Sequence, residues 1–159
     1  MQEIITIREA YQKDAEAIAT ILYELGLFEH VNNELPAVTE HKIALRLLQG
    51  YHDRCNTVLV AEQGNEQTVG YIAAHWFPNL MRGSVDGYVS ELFVSPRAAG
   101  HGVGSLLLDA IHERAVKRGC TRLLLMNRRD RESYKRGFYS KHGWQEMPEA
   151  AYFIYHVDE

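Results

Sequence analysis

The segment from Val89 to Cys120, VSELFVSPRAAGHGVGSLLLDAIHERAVKRGC, limits the fold of this chain more than any other. An apolar, β-branched run ends at Val94, and the loop after it places Gly100, Gly102 and Gly104 at every second position. Apolar residues then recur at helical spacing before Gly119, namely Val103, Leu107, Ala110, Ile111 and Ala115. This pattern predicts a strand, a tight turn and a helix. Backbone N–H groups at such a helix start favour a phosphate-bearing ligand; a turn that needs glycine only for its backbone is the alternative.

The remaining elements follow from periodicity and from glycine and proline positions. We expect strands at 4–8, 57–62, 68–75, 85–94, 121–127 and 152–157, and helices at 14–25, 38–48 and 132–141. Residues 27–36 and 76–83 are expected to be connections, and Gly50 is expected to end the second helix. This order predicts an α/β fold with a mixed sheet, antiparallel in its first half and flanked by helices. The unit from Val89 to Asn127 should be a right-handed parallel crossover.

The composition is that of an ordinary soluble domain. With 159 residues, 46% hydrophobic and 24% charged, we expect one domain over residues 1–159. The net charge of −4 disfavours a nucleic-acid partner, and no apolar run approaches the roughly 18 residues of a membrane span. Cys55 and Cys120 lack metal-ligand spacing and are expected to be reduced core residues. No signal peptide is visible, so we expect a cytoplasmic protein without membrane or nucleic-acid partners.

A dinucleotide is the first alternative ligand for the glycine-rich turn. In the dinucleotide-binding fingerprint, the strand leads almost directly into the first glycine, and successive strand–helix–strand units follow. Here residues 95–99 intervene, and the front half of the chain is predicted to be antiparallel. Both features count against this alternative.

Two motifs point to another family. Val94 ends a strand, Pro96 follows two residues later, and AGHGVG opens a long helix. About 35 residues further on, FYSKHGW from Phe138 to Trp144 places a tyrosine in a short helix before glycine and an aromatic residue. The two blocks, in this order, resemble the GNAT superfamily of N-acetyltransferases. The resemblance implies a GNAT-like fold, acetyl-CoA as co-substrate and no metal.

The resemblance also implies a set of cofactor contacts. These are Leu92, Phe93 and Val94 toward the pantetheine arm, Ala99, Gly100, His101, Gly102, Val103, Gly104 and Ser105 toward the pyrophosphate, and Asn127 and Tyr139. Aligned through Val94 and Pro96, the family's Arg or Gln falls on Ala99, and Gly104 opens the helix. A literal match instead falls on Arg97, with the helix starting near Gly102. We favour the first alignment, because Val94 and Pro96 precede it at the family's spacing and the apolar stripe begins at Val103.

Acetyl transfer to an amine requires a neutral amine, a donor for the oxyanion and a proton for the departing thiolate. By the family match we expect Tyr139 to be the general acid, with Tyr134 as the alternative. We expect Glu91 to lie between Val89 and Phe93 on one strand face, where a carboxylate is costly if it is only structural. Glu91 is expected to be the base, directly or through water, although a salt-bridged core carboxylate is an equal alternative. His75 is a second candidate base.

These observations predict an N-acetyltransferase that moves an acetyl group from acetyl-CoA to a primary amine by direct attack. The acceptor is a small molecule or a protein amine, with small-amine and aminoglycoside enzymes as the nearest type. We expect residues 27–36 and 76–81 to line the acceptor pocket, and four acids to attract a cationic amine: Glu24, Glu29, Glu34 and Asp86. A non-catalytic acyl-CoA-binding sensor or regulatory domain is the alternative, and a homodimer is a further expectation.

Overall fold

The computed structural model describes residues 3–51 and 54–158. The described residues pack into two compact units, one up to Leu124 and the other from Leu125 onward. The first contains, in order, β1 (Ile5–Glu9), a 3-10 turn (Gln12–Asp14), α1 (Ala15–Leu25), α2 (Glu29–Asn32), α3 (Pro36–Tyr51), β2 (Asn56–Gln63), β3 (Gln67–Asn79), β4 (Ser84–Val94), a second 3-10 turn (Pro96–Ala98) and α4 (Val103–Lys117). The strand β5 (Cys120–Leu125) runs up to the boundary, and the second unit contains α5 (Glu132–Lys135) and α6 (Phe138–Lys141).

The five strands form one sheet in the order β1-β2-β3-β4-β5. Strands β1 to β4 pair antiparallel with their neighbours in sequence. The long helix α4 then returns the chain so that β5 lies parallel to β4. The predicted mixed sheet, antiparallel first and parallel at the crossover, is therefore confirmed.

The two faces of the sheet have different neighbours. A Cβ placed on Gly70 would lie 3.1 Å from Val103 and 3.3 Å from Leu107, so this face of β3 packs against α4. Tyr71, the next residue, points to the opposite face and joins a core cluster with Ile18 and Leu22 of α1. The helices α1 and α3 therefore cover one face, and α4 covers the other.

A β-bulge in β4 changes which face its side chains reach. Ala73 pairs with Glu91, but Ala74 pairs with Val89, so Ser90 is an extra residue without a partner in the register. Because Ala73 and Ala74 point to opposite faces, so do Glu91 and Val89. The expectation that Val89 and Glu91 share one face is therefore wrong.

The apolar stripes predicted for the helices account for their burial. Ile18, Ile21 and Leu22 of α1 are buried, and Gly26 ends that helix in the left-handed conformation. In α4 the buried positions are Val103, Leu107, Leu108, Ile111 and Ala115. The 3.6-residue period thus predicted Val103, Leu107, Ile111 and Ala115 of α4 correctly, whereas the predicted Ala110 is only half-buried and Leu108 is buried without having been predicted.

Several predicted boundaries are wrong. The strand β3 continues to Asn79, so residues 76–83 are mostly hairpin rather than connection. Residues 27–36 contain α2, whose Val31 is buried. Gly50 lies inside α3, because a glycine without positive φ does not end a helix. Gly137, with φ of 66°, divides the expected helix 132–141 into α5 and α6.

The expected last strand is also absent. Residues 151–158 form no strand, and the exposed fractions of Tyr152, Phe153 and Tyr155 are 61%, 88% and 90%. β-branched and aromatic residues favour strands only where a neighbouring strand is present to pair with. Cys55 is exposed as well, and so it is not a core residue.

Candidate active site

A pocket of about 510 Å³ opens between the sheet and the helices α1 and α3, all within the first unit. Its floor is the sheet face that β2, β3 and β4 share, and its walls are the two helices. The lining residues are Ile18, Leu22, Lys42, Ile43, Arg46, Leu47, Gln49, Gly50, Asn56, Val58, Tyr71, Ala73, His75 and Glu91. The two connections expected to line an acceptor pocket contribute none of them. A cavity of this size is in the range that holds small molecules.

Glu91 provides the carboxylate of the pocket floor, and Tyr71 holds it. The Tyr71 hydroxyl donates a hydrogen bond of 2.9 Å to Glu91 Oε1. Tyr71 is 3% exposed, whereas Glu91 is exposed and pairs with no cation within ion-pair distance in the described residues. Burial, and then the Glu91 carboxylate, raise the pKa of Tyr71 well above its usual value, so the phenol stays a donor. Glu91 is therefore not a salt-bridged core residue, and one oxygen stays directed by Tyr71.

His75, the second candidate base, is held at both ring nitrogens. Nδ1 lies 2.6 Å from Asn56 Oδ1, and Nε2 lies 2.7 Å from Ser90 Oγ. Since an amide oxygen only accepts, Nδ1 carries the proton, and Nε2 accepts from the Ser90 hydroxyl in the neutral ring. The extra residue of the β4 bulge thus helps to fix His75 at the edge of the pocket.

Two of the acids expected to attract a cationic amine are already paired with arginines. Glu24 lies 3.3 Å from Arg97. Asp86, fully buried, accepts from Asn79 at 2.8 Å and from Arg122 at 2.9 Å. The Asn79 hydrogen bond, and then the Arg122 ion pair, hold the pKa of Asp86 below its usual range. These carboxylates are compensated within the protein.

The strand β4 leads from Glu91 into the glycine-rich loop. Glu91 precedes Val94 by three residues, which corresponds to about 10 Å along a strand. After the second 3-10 turn, Gly100 and Gly102 both have φ of 79°, a left-handed conformation that glycine adopts without strain. Gly102 is the N-cap of α4, and the first helical hydrogen bond runs from Leu106 N to Gly102 O at 3.1 Å.

This loop fits an anion. The first N–H groups of α4 have no carbonyl partner within the helix, and they carry the positive end of its dipole. A Cβ on either loop glycine would meet no atom within 4 Å, so the approach to the helix start is open. A pyrophosphate would be bound there chiefly by backbone amides.

The two alignments of the loop predict different first residues for α4, so the observed helix start distinguishes between them. The helix α4 begins at Val103 and Gly104 lies inside its first turn, so the expectation that Gly104 opens the helix is wrong. Ala99 is exposed and has no polar side chain to offer. Arg97 lies in the 3-10 turn, with its side chain 67% exposed and directed to Glu24. His101 faces solvent, with Nδ1 3.4 Å from Ala98 O.

The second unit contains both candidate tyrosines, in different surroundings. The Tyr134 hydroxyl donates to the Glu146 carboxylate at 3.0 Å, which also binds Arg129. The Tyr139 ring packs edge-on against Trp144, with 6.0 Å between centroids, and its hydroxyl makes no hydrogen bond to the described residues. Burial raises the pKa of Tyr139 to about 12. Asn127 accepts from Ser133 at 3.1 Å at the start of this unit.

Tyr71, Lys42 and Arg46 are among the pocket residues that the sequence analysis did not single out. Tyr71 follows from the period of β3, since Tyr71 and His75 lie on one strand face with an even spacing. Lys42 and Arg46 follow from the period of α3, where positions i and i+4 share one helix face. The signal was present, but a sequence does not show which face of an element adjoins a cavity.

The described residues, 3–51 and 54–158, contain no group of three or more His, Cys, Asp and Glu arranged to hold a metal ion. Within the same part of the chain, every helix is too short or too polar to cross a membrane.

Known proteins are similar to this chain in sequence and in fold. A solved structure of a transcriptional regulator from Bacillus halodurans C-125 superposes with a TM-score of 0.83 at 25% identity, covering 96% of this chain and 100% of that one. Thialysine N-epsilon-acetyltransferase of Bos taurus is 28% identical over 142 residues, 82% of this chain and 81% of the relative. Aminoglycoside N(6')-acetyltransferase type 1 of Stenotrophomonas maltophilia is 28% identical over 151 residues, 93% and 91% of the two chains. The model of the acetyltransferase (GNAT) family matches residues 18–144, which confirms the resemblance seen in the two motifs. The chain therefore belongs to the GNAT family of acetyltransferases.

Proposed function

We propose that this protein transfers an acetyl group from acetyl-CoA to the primary amine of a small molecule bound in the pocket over β2, β3 and β4. The observation that carries the proposal is the position of Glu91. It lies on the pocket floor, held by Tyr71, on the strand that continues into the glycine-rich loop. The two relatives named above are acetyltransferases of thialysine and of aminoglycosides, which supports a small amine as acceptor.

Acetyl-CoA, when bound, supplies a thioester as the acyl donor. The backbone groups of Leu92, Phe93 and Val94 would pair with its pantetheine arm, and the loop from Ala99 to Ser105 would bind its pyrophosphate. The left-handed glycines and the open start of α4 support this placement. Whether Ala99 or Arg97 occupies the family's Arg or Gln position stays a prediction, which acetyl-CoA affinities of Ala99→Arg and Arg97→Ala would test.

Glu91 would accept the proton of the amine, directly or through one water molecule. An alkyl ammonium has a pKa near 10.4 and no lone pair, so it cannot attack until that proton leaves. The Tyr71 hydrogen bond keeps one Glu91 oxygen directed and leaves the other for the amine. Tyr139 as the donor of a proton to the thiolate stays a prediction, as does the contact of Asn127 with the cofactor.

The test is thiol release from acetyl-CoA over a panel of primary amines, with acetyl-CoA binding followed by thermal shift. Binding and amine-dependent thiol release are expected in the parent protein, and Glu91→Gln should keep the binding but lose most of the turnover. Acetyl-CoA binding without turnover on any amine would instead favour a non-catalytic sensor. The similar protein from Bacillus halodurans C-125 is described as a transcriptional regulator, which is consistent with such a role.

The expected homodimer and cytoplasmic location stay predictions. Light scattering of the purified protein would measure the mass in solution and decide whether two copies associate.

A further inference from the structure

The charged residues that line the pocket indicate which charges a complementary acceptor should carry. Among the described lining residues, Glu91 is the carboxylate, whereas Lys42 and Arg46 are both cations on α3. They lie on the wall, and Glu91 lies on the floor. A molecule filling the pocket therefore meets an acid at one side and bases at another.

Lys42 is neutralised by its own neighbour. Its ammonium pairs with Glu34, whose other oxygen accepts from Thr39 at 2.6 Å. These two hydrogen bonds hold the pKa of Glu34 below its usual range, so the carboxylate is charged and offsets Lys42. Lys42 therefore adds little net charge to the pocket.

Arg46 has no such compensation. Its Nη1 donates to the neutral amide oxygen of Gln49 at 2.9 Å, and no carboxylate lies within ion-pair distance of it in the described part of the chain. A guanidinium has five N–H donors in a planar fork, and this fork matches a carboxylate. Within the described part of the chain, Arg46 is thus an exposed cation of the pocket lining that no carboxylate offsets.

The same pocket has an apolar lining as well. Ile43 and Leu47 of α3, Val58 of β2 and Ala73 of β3 contribute aliphatic side chains to it. An acceptor that complements the pocket has an aliphatic chain, an amine near Glu91 and an anion near Arg46. A polycation would instead bring further ammonium groups toward Arg46.

Resting on the proposed function, we propose that the acceptor is a zwitterion, an aliphatic amino acid whose side-chain amine is acetylated and whose carboxylate is bound by Arg46. The proposal adds a carboxylate-binding residue to the site. It also distinguishes between the two kinds of substrate named for the relatives, thialysine and aminoglycosides, since an aminoglycoside carries several amines and no carboxylate.

The test compares probes that differ only in the anion. L-lysine and L-lysinamide have the same two amines, but the amide lacks the carboxylate; 1,5-diaminopentane and the aminoglycoside kanamycin serve as polycationic probes. We expect kcat/KM for lysine to exceed that for lysinamide by at least tenfold, in line with a charge-assisted hydrogen bond. In Arg46→Gln this ratio should fall toward one, mainly through KM for lysine, and Arg46→Lys should restore part of it.

Lys117→Gln is the matched control. It removes the same charge from an exposed position of α4 outside the pocket and should keep the parental ratio. Thermal unfolding of each variant confirms folding. If lysinamide, 1,5-diaminopentane or kanamycin is acetylated as fast as lysine, and Arg46→Gln leaves the ratio unchanged, the zwitterion proposal is overturned while the acetyltransferase proposal stands. Turnover on none of the amines, with acetyl-CoA bound, would overturn both.

Discussion

Replacing Tyr71 with phenylalanine tests whether Glu91 acts as a positioned base. The substitution removes only the hydroxyl oxygen, and the ring keeps its place beside Phe93, 5.9 Å away between centroids. The lost contact is the 2.9 Å hydrogen bond to Glu91 Oε1, made by a residue that is 3% exposed. The variant therefore changes the direction of the Glu91 carboxylate with little change in packing.

The magnitude follows from the kind of hydrogen bond. A bond to a charged group contributes about 1.5–3 kcal/mol, which corresponds to roughly 10- to 150-fold in rate if all of it positions the base. Glu91 is exposed, so water in the pocket can replace the hydroxyl in part. We therefore expect kcat to fall about tenfold, at the lower end of that range, and stability to fall by about 1 kcal/mol.

Initial rates of thiol release at saturating amine and acetyl-CoA measure this effect. KM for acetyl-CoA should stay at the parental value, since Tyr71 lies in the pocket and not on the glycine-rich loop. Tyr23→Phe is the control, because Tyr23 is 52% exposed on α1. A parental kcat in Tyr71→Phe, together with a strong loss in Glu91→Gln, would refute the claim that Tyr71 positions the base.

Three further outcomes are expected. Asp14→Asn should lower the free energy of unfolding in urea by about 2 kcal/mol, because the buried carboxylate accepts hydrogen bonds of 2.8 and 2.9 Å from Arg8, and Arg8 then keeps only its ion pair with Glu62. Burial raises the pKa of Asp14, but the hydrogen bonds from Arg8 and from the backbone N–H of Tyr11 outweigh burial and hold the pKa below 3.8. The contribution of the Asp14 carboxylate to folding stability is therefore fully present above pH 3.8 and is lost as the pH falls through the pKa of the folded protein. Tyr139→Phe should lower kcat about 10²–10⁴-fold. Since the pKa of Tyr139 is about 12, the rate of the parent protein should not fall through ionisation of this tyrosine up to pH 10. Gly70→Ala, whose Cβ would lie 3.1 Å from Val103, should cost about 1–3 kcal/mol of stability and weaken acetyl-CoA binding.

Each of these variants has a matched control. Asp130→Asn alters an exposed ion pair with Arg128 and should leave urea unfolding nearly unchanged. Tyr134→Phe removes a hydroxyl bound to Glu146 and should retain kcat; a larger loss in Tyr134→Phe than in Tyr139→Phe would make Tyr134 the acid. Gly50→Ala adds a Cβ in open space within a helix and should not lower the melting temperature.

The sequence predicted the parts of the fold that local chemistry determines. The stripe of α4, the left-handed Gly26 after α1 and the hairpin between β2 and β3 depend on neighbours within a few residues. The order of these elements was enough to predict a mixed sheet with a parallel crossover. Both family motifs lie in such locally determined segments.

What the sequence did not predict depends on distant partners. A strand at residues 152–157 needs another strand beside it, and composition alone cannot provide that partner. Tyr71 and Glu91 are 20 residues apart and meet because β3 and β4 pair in one register. The ion pairs of Glu24 with Arg97 and of Asp86 with Arg122 likewise join segments that are distant in sequence, so the sequence did not show that these two acids are already paired.

The bulge at Ser90 explains how β4 directs side chains to the pocket on one face of the sheet and to the core below α4 on the other face. From Glu91 onward, β4 must alternate so that Glu91 and Phe93 face the pocket. Before the bulge, Val89 and Gly87 must face the other side, where a Cβ on Gly87 would lie 2.6 Å from both Trp76 and Leu123. A regular strand of period two would place Val89 and Glu91 on the same face, so burying one would bury the other. The extra residue resolves this conflict, and its hydroxyl also binds His75. Glu91 in the pocket and the core below α4 therefore coexist on β4 because the strand is irregular at that position.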